Sequence, residues 1–403
     1  MNPIPTDKPS IELLYNVQSK NLTTANAIQY TILNYFDPIS FNHDKIRRFY
    51  NSVVIDPETR KILSIGSPLS YDFELFQKSS PAVDETIVAE EMVEGVSIQL
   101  FYDPRIKNWE ISTRNSVAGN YAYYRLPGQS CKTYRDMLFD AMGLKGTDRQ
   151  IDQWVGYKHL LASNCYHFIV KHPENHIILK TKDPQLFFIG YYELHCNTVN
   201  DVRYNSSHKV LPFPEGIVET PLRIVLPRIS TNYKEYVDHY MNLNKEIKMG
   251  MSFTDINTGE RCFILTPEYK TLQQIRGTHP NLLYQYLCLQ RVGKINEFLK
   301  NFPQYRELFH TFRYMYDNLI RDIHQSYLYY YIRKSNPVVD KSIYFHIHQI
   351  HETIFKPSLN DAVKTIIKKD VVRKYVDALE PGCALHLLQR ERYKNENLVK
   401  NND

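Results

Sequence analysis

The segment Val88-Ala-Glu-Glu-Met-Val-Glu-Gly-Val-Ser-Ile-Gln-Leu-Phe-Tyr-Asp103 decides how the first part of this chain folds. From Val96 to Asp103, apolar residues recur with the period of two that is typical of a strand. The turn sequence Asp103-Pro-Arg-Ile-Lys-Asn108 follows, and the residues from Trp109 to Thr113 alternate again. The sequence therefore predicts a β-hairpin with Gly95 at its entrance.

The composition is that of a folded, soluble protein. Of the 403 residues, 43% are hydrophobic and 23% are charged, and this length accommodates one large domain or two to three smaller ones. The 14 Gly against 31 Tyr, with recurring Asn, Ile and Lys, are typical of an A+T-rich genome. The net charge of +5 permits contact with nucleic acid but does not by itself predict a concentrated basic patch.

The cysteines and the apolar runs bear on the compartment. The six cysteines are scattered without a Cys-x-x-Cys pair, and no signal peptide precedes them. Reduced thiols in a cytoplasmic setting are therefore expected. No run approaches the roughly 18 apolar residues of a membrane span, so no membrane partner is predicted.

Three regions follow from the change of periodicity along the chain. Residues 1–44 are predicted to form an N-terminal arm and a helix, with the helix from Thr23 to Phe36. Residues 45–278 are predicted to be α+β, with antiparallel sheets, and residues 279–403 to be all-helical with a disordered tail. Within the α+β region the pattern predicts hairpins at 49–65 and 250–265, helices at 133–142 and 232–243, and strands at 166–171 and 186–192.

The entrance to the first-quoted hairpin carries a family resemblance. Met92-Val-Glu-Gly95 precedes the hairpin and Thr113-Arg-Asn-Ser116 closes it. This arrangement resembles the active-site hairpin of ATP-dependent nucleotidyltransferases, above all phage-type RNA ligases, in which Lys-x-Asp/Glu-Gly and Thr-Arg/Lys-x-Ser stand in these places. The resemblance implies an RNA ligase-like nucleotidyltransferase domain over 45–278, followed by a helical C-terminal domain. Here Met92 replaces the lysine.

Three further segments match the family in the same order. Asn51-Ser-Val-Val-Ile-Asp56 stands where the family has Arg-Gly before an apolar strand, and Ile169 stands where a ribose-binding Glu is expected. Met249-Gly250 occupies the place of a Glu-Gly pair. Phe263-Ile-Leu-Thr-Pro-Glu-Tyr269 occupies that of Lys-x-Lys-Thr-Pro-Glu-Tyr.

The replaced residues are the ones that carry the chemistry of the family. There, the Lys amine attacks the α-phosphate of ATP and holds AMP as a phosphoramidate, which a thioether cannot do. The family's other lysines stabilise phosphate charge, and its carboxylates hold the ribose and a divalent metal. No catalytic residue is therefore expected to be intact, and no metal or cofactor is expected. The degenerate pocket positions are Asn51, Met92, Glu94, Ile169, Met249, Phe263 and Leu265. We expect the five apolar ones, Met92, Ile169, Met249, Phe263 and Leu265, to converge around one cleft.

The resemblance leaves several functions open. The main hypothesis is a catalytically degenerate scaffold or subunit that has lost ATP binding and contacts RNA or a protein partner, with Thr113 and Arg114 as candidate ligand-binding residues. One alternative is an active RNA ligase that uses ATP and Mg and has a displaced nucleophile, Lys78 or Lys107. Another is a purely structural protein of a viral particle or complex. A large DNA virus would suit the composition, and the location would then be the host cytoplasm or the virion.

Two other patterns have simpler interpretations. The apolar pocket positions could instead be ordinary core positions of strands. His346-x-His-x-x-His351 has a metal-like spacing but lacks a carboxylate or cysteine partner, so helical histidines without metal are expected. Tyr327-Leu-Tyr-Tyr-Tyr331 is expected to be helix core and boundary rather than a stacking platform for bases.

Overall fold

The structure is a computed structural model. It describes residues 17–35, 50–122, 132–175, 177–194, 229–242, 247–258, 260–277, 279–334, 339–360 and 364–390. It divides into two compact units, residues 1–123 with 127–274 and residues 124–126 with 275–403. Antiparallel sheets dominate the first unit and helices the second, so the predicted α+β class is confirmed. Residues 1–16 of the predicted N-terminal arm and the predicted disordered tail, the last dozen residues, lie outside the described residues. The arm was predicted to continue to residue 20, but its last residues, from Gln18, form a strand instead.

The first sheet is four-stranded and antiparallel. Its strands are β1 (Gln18–Thr23), β2 (Gln29–Asn34), β3 (Asn51–Ile55) and β4 (Ile62–Ile65), paired in that order. The predicted helix from Thr23 is wrong, because this segment turns at Ala27, with φ 59°, and returns as β2. Strand β2 is buried on both faces, and such a short two-sided apolar run has no alternation that separates strand from helix.

The second sheet is five-stranded and contains the predicted hairpin. Its strands, in chain order, are β6 (Val96–Asp103), β7 (Asn108–Thr113), β8 (Ser116–Val117), β9 (Asn164–Lys171) and β10 (Gln185–Glu193), and helix α2 (Tyr134–Ala141) lies between β8 and β9 in the chain. Two elements come before them in the chain: helix α1 (Phe73–Ser79) and strand β5 (Ile87–Glu91), which belongs to the third sheet. The order in the sheet is β10-β9-β6-β7-β8. Strands β6 and β7 pair antiparallel, with Leu100 opposite Ile111, so the hairpin is confirmed.

Helix α2 covers one face of this sheet. Thr133 and Asp136 form a capping box at its start, and Gly143 follows its end at φ 76°. Against it pack alternate residues of the strands, such as Ile98, Leu100 and Phe168. Both tryptophans of the chain, Trp109 and Trp154, are buried in this core.

The third sheet is three-stranded, in the order β12-β11-β5. It is built after helix α3 (Tyr233–Asn242) from β11 (Gly250–Asp255) and β12 (Arg261–Leu265), and helix α4 (Pro267–Arg276) follows. The aromatic stripe of α3, Tyr233, Tyr236 and Tyr240, packs into the core that covers one face of this sheet. The stripe is therefore core, as predicted.

The second unit is helical. It contains α5 (Leu282–Arg291), α6 (Ile295–Asn301), α7 (Arg306–Tyr327), a π-helical segment (Leu328–Ile332), α8 (Lys341–Ile350), a second π-helical segment (His351–Phe355), α9 (Lys356–Ser358), α10 (Lys369–Ala378) and α11 (Pro381–Leu388). The three histidines of the metal-like spacing each contact a tyrosine hydroxyl, at 2.8 to 3.3 Å. Among the described residues no group of His, Cys, Asp or Glu could hold a metal ion. Their helices include none that is long and apolar enough to cross a bilayer.

A buried carboxylate links the first two sheets. Asp103, at the end of β6, is fully buried and accepts hydrogen bonds from the hydroxyl of Tyr30 at 2.7 Å and from Arg105 at 2.8 to 3.0 Å. Arg105 also reaches Asp56 at 3.2 Å, in the β3–β4 turn. Desolvation by burial opposes ionisation, yet the hydrogen bonds from Arg105 and Tyr30 hold the pKa of Asp103 below its usual value.

Asp103→Asn should destabilise the first unit most at neutral pH. Because the folded-state pKa of Asp103 is lowered, its carboxylate stabilises the fold at every pH above the ordinary aspartate pKa of about 4. This stabilisation is lost as the pH falls through the folded-state pKa. We expect a loss of about 2 to 3 kcal/mol at pH 7 that shrinks towards pH 3. Urea unfolding followed by tryptophan fluorescence measures it, because both tryptophans lie in this unit.

Exposed Asp148 provides the matched control. If Asp103→Asn unfolds no more easily at pH 7 than Asp148→Asn, Asp103 does not link the sheets as described.

Candidate functional site

A pocket of about 330 Å³ lies between the faces of the second and third sheets that the helices leave uncovered. Its walls are the strand residues that alternate with core residues. In β11, Met251 and Phe253 face the core, whereas Ser252 and Thr254 line the pocket. The period of two within each strand therefore separates the packing face from the pocket face.

The chain crosses from the third sheet to the second beside this pocket, through Met92 to Gly95. The backbone N–H of Met92 donates to the carbonyl of Gly250 at 2.9 Å, which ties the crossing to β11. A Cβ on Gly95 would lie 2.5 Å from the carbonyl oxygen of Val170 and 2.6 Å from the Ile169 side chain. Only glycine permits this close approach of the crossing to β9. The approach places the crossing beside Ile169.

Four of the predicted apolar positions line the pocket together. Met92, Ile169, Met249 and Phe263 come from the crossing, β9, the residue before β11, and β12. The ring of Phe263 is 38% exposed and lies under the guanidinium of Arg261, 5.1 Å from ring centroid to Cζ. The fifth apolar position does not line this pocket.

That fifth position, Leu265, is the last residue of β12 and pairs with Gly250. A Cβ on Gly250 would lie 2.2 Å from the carbonyl oxygen of Ile264. The two strands therefore approach closely at their ends, and Leu265 lies beyond the pocket wall.

Uncharged polar groups form much of the remaining wall. Ser97 and Gln99 point from β6, and His167 from β9. The carbonyl of Ile65 can only accept, so Nε2 of His167 donates to it at 2.7 Å, and Nδ1 lies 2.8 Å from the hydroxyl oxygen of Ser67. These residues were missed in the sequence, although polar residues at alternate positions of β6 were a signal for them.

The charged lining is balanced. The lining includes Glu90 and Glu91 as well as Arg114 and Arg261. Glu91 pairs with Lys248 at 3.4 Å. No lysine lines the pocket in the described part of the chain.

The two substitute lysines lie elsewhere. Lys78 is exposed in the last turn of α1, and Lys107 is exposed in the β6–β7 turn. Neither lines the pocket.

Glu94, predicted as a pocket position, instead holds the backbone. It is buried and does not line the pocket. Its carboxylate accepts hydrogen bonds from the N–H groups of Ile177, Ile178 and Leu179 at 2.9 to 3.2 Å and from the hydroxyl of Tyr269 at 2.9 Å. The glutamate is therefore a structural acceptor for the backbone N–H groups of this turn.

The remaining predicted site residues also differ in whether they line the pocket. Arg114 is exposed and lines the pocket, whereas Thr113 is buried, and its hydroxyl lies 2.9 Å from that of Tyr121. Asn51 lines the pocket and donates to the carbonyl of Ser67 at 2.8 Å. Its neighbour Ser52 has φ 68°, and its hydroxyl donates to the carbonyl of Thr113 at 2.9 Å.

Two buried thiols near the sheets are poor nucleophiles. Burial raises the pKa of Cys165 to about 11 and that of Cys262 to about 12. Because the thiolate is the reactive form, neither cysteine supplies a nucleophile at neutral pH.

Comparison with known proteins agrees with the motifs. No protein-family model matches the chain. Over 103 residues it is 25% identical to an RNA ligase of Rhodothermus phage RM378. Over this stretch the chain resembles an RNA ligase. The predicted resemblance is confirmed at the level of the ligase-like nucleotidyltransferases. The matched stretch spans 25% of this chain and 22% of the phage protein, so the chain matches about a fifth of that relative.

Two solved structures also match this ligase-like chain. An archaeal ATP-dependent RNA ligase is 10% identical, with a TM-score of 0.41 over 91% of this chain and 84% of its own. A protein of Aquifex aeolicus assigned as an ATP-dependent DNA ligase is 17% identical, with a TM-score of 0.40 over 66% of this chain and 65% of its own.

The left-handed backbone at Ser52 generates a stability prediction. Ser52→Gly and Ser52→Ala both remove the hydrogen bond to Thr113, but only glycine adopts φ 68° without a Cβ clash. We expect Ser52→Gly to be more stable than Ser52→Ala by about 1 kcal/mol. Urea unfolding followed by tryptophan fluorescence compares them, and equal stabilities would contradict the strained backbone.

Proposed function

We propose that this protein is a catalytically degenerate, RNA ligase-like binding protein that forms no adenylate and acts as an RNA-binding scaffold or subunit. The observation that supports this most directly is Met92, which lines the pocket at the place where the family has its lysine. Its thioether has no amine that could form a phosphoramidate.

The charge of the pocket also supports the loss of ATP chemistry. Phosphoryl transfer depends on cations that face the phosphates. Here two glutamates balance the two arginines of the lining, and Ile169, Met249 and Phe263 add apolar surface. Moving phosphate charge into such a site without a partner costs several kcal/mol.

The active-ligase alternative has less support. It requires ATP, Mg and a displaced nucleophile, and both candidates, Lys78 and Lys107, lie outside the pocket lining. Exposed Arg114 at the pocket and the net charge of +5 favour RNA over a protein partner.

The first test is adenylation. Incubated with α-³²P-ATP and Mg²⁺ or Mn²⁺, the full-length protein should show no acid-labile labelled band, because the described pocket offers no amine nucleophile. An active RNA ligase is the positive control. A labelled band would overturn the degenerate assignment, and its loss in Lys78→Ala or Lys107→Ala would identify the displaced nucleophile.

The second test is RNA binding. Phosphate contacts by Lys and Arg release counterions, so the logarithm of the affinity for single-stranded RNA should fall by about 0.7 per contact for each tenfold rise in salt. With three contacts or more, we expect about a tenfold or larger loss between roughly 50 and 200 mM salt, measured by fluorescence anisotropy. Absence of binding at the lower salt would instead favour a protein partner or a purely structural role.

A further inference from the structure

A second pocket, of about 410 Å³, lies wholly within the helical unit. Residues of α5, α6, α7 and α10 line it, together with Gly293 between α5 and α6. Its volume falls in the range of small-ligand sites, which is about 300 to 1,000 Å³. None of the motifs that resemble RNA ligases includes any of its residues.

Cations from two helices converge on this pocket. Arg306 and Arg313 stand seven residues apart on α7, with His310 between them, so all three lie on one face of the helix. Arg373 reaches the same pocket from α10. Side chains from separate helices thus surround one space.

The negative charge of the lining is smaller. Asp317 is the one carboxylate among the described lining residues, and it pairs with Arg373 at 2.7 Å and lies 4.0 Å from Arg313. Three arginines against one aspartate leave a net charge of +2 with His310 neutral. The Arg313 side chain is 76% exposed, and Arg306 makes no ion pair with a described residue, so both are accessible to an anion.

Aromatic side chains form the floor of this pocket. Tyr286, Phe309 and Tyr316 are buried beneath the pocket. The rings of Tyr286 and Phe309 meet edge to face, 5.4 Å between centroids. The helices that carry the arginines are therefore packed together beneath the pocket.

We propose that this arginine pocket, defined by Arg306, His310, Arg313 and Arg373, binds phosphate groups. Guanidinium groups match phosphate oxygens with paired hydrogen bonds, and they keep their charge at every physiological pH. The source of the phosphate is the backbone of single-stranded RNA or a free phosphorylated molecule. The choice of RNA rests on the proposed function.

The test uses the full-length protein and one double variant, Arg306→Ala with Arg313→Ala. Its probes are a fluorescent single-stranded RNA of about twelve nucleotides, in the size range of single-strand binding sites, and inorganic pyrophosphate followed by calorimetry. We expect the double variant to bind RNA about tenfold or more weakly. The slope of log affinity against log salt concentration should become shallower by about 1.4, which corresponds to the loss of two phosphate contacts. Arg321→Ala is the matched control, because Arg321 is exposed on the same helix outside the pocket.

A second variant separates ligand binding from folding. Asp317→Asn removes the carboxylate that competes for Arg313 and Arg373 but keeps an oxygen acceptor. We expect it to bind RNA or pyrophosphate several-fold more tightly than the wild type. Loss of the folded pocket would lower the affinity for pyrophosphate, so a gain in that affinity argues against misfolding.

The outcomes distinguish this inference from the proposed function. If the double variant binds both RNA and pyrophosphate as tightly as the wild type does, the arginine pocket is overturned and the RNA-binding function is left intact. If only pyrophosphate binding is lost, the pocket is supported with a free phosphorylated molecule as its ligand. Pocket-dependent binding of pyrophosphate without RNA binding supports the pocket and overturns the RNA-binding function. Binding of neither probe by the wild type overturns the inference.

Discussion

The crossing from β5 to β6 is the constraint on which the first unit depends. Between Glu91 and Val96 the chain leaves one sheet and enters another, and it does so against the backbone of β9. Gly95 makes the close approach possible, and Glu94 fixes the turn at 177–179 beside it. The position of the pocket between the two sheets follows from this short connection.

The family motifs divide into two groups in this structure. The positions that hold the backbone keep the family residues. Glu94 accepts three backbone N–H groups, Gly95 and Gly250 allow close approach, and the hydroxyl of Thr266 accepts the N–H of Tyr269 at the start of α4. Most positions whose side chains face the pocket differ from the residues that the resemblance predicts there, at Asn51, Met92, Ile169, Met249 and Phe263. The framework and the chemistry of such a site are thus physically separable.

The sequence predicted the local elements well where alternation and turn chemistry agreed. The hairpins β3–β4, β6–β7 and β11–β12 have strong turn residues between their strands, and each pairs in the structure. The prediction of a helix from Thr23 was wrong because β2 is buried on both faces and its spacing of apolar residues also fits a helix. The prediction that Met92 and Ile169 line one pocket came from the family resemblance, because no local sequence pattern relates the two positions. The structural role of Glu94 depends on a turn 83 residues away that no local pattern reveals.

The alternation in β11 has an evolutionary consequence. Met251 and Phe253 pack into the aromatic core while Ser252 and Thr254 face the pocket. A substitution at either polar position leaves the core untouched, whereas insertion of a single residue would exchange the two faces and bury hydroxyls among tyrosine rings. The strand therefore tolerates substitutions on its pocket face but not a change in its length. Substitutions can accumulate around the pocket, whereas insertions would be removed by selection.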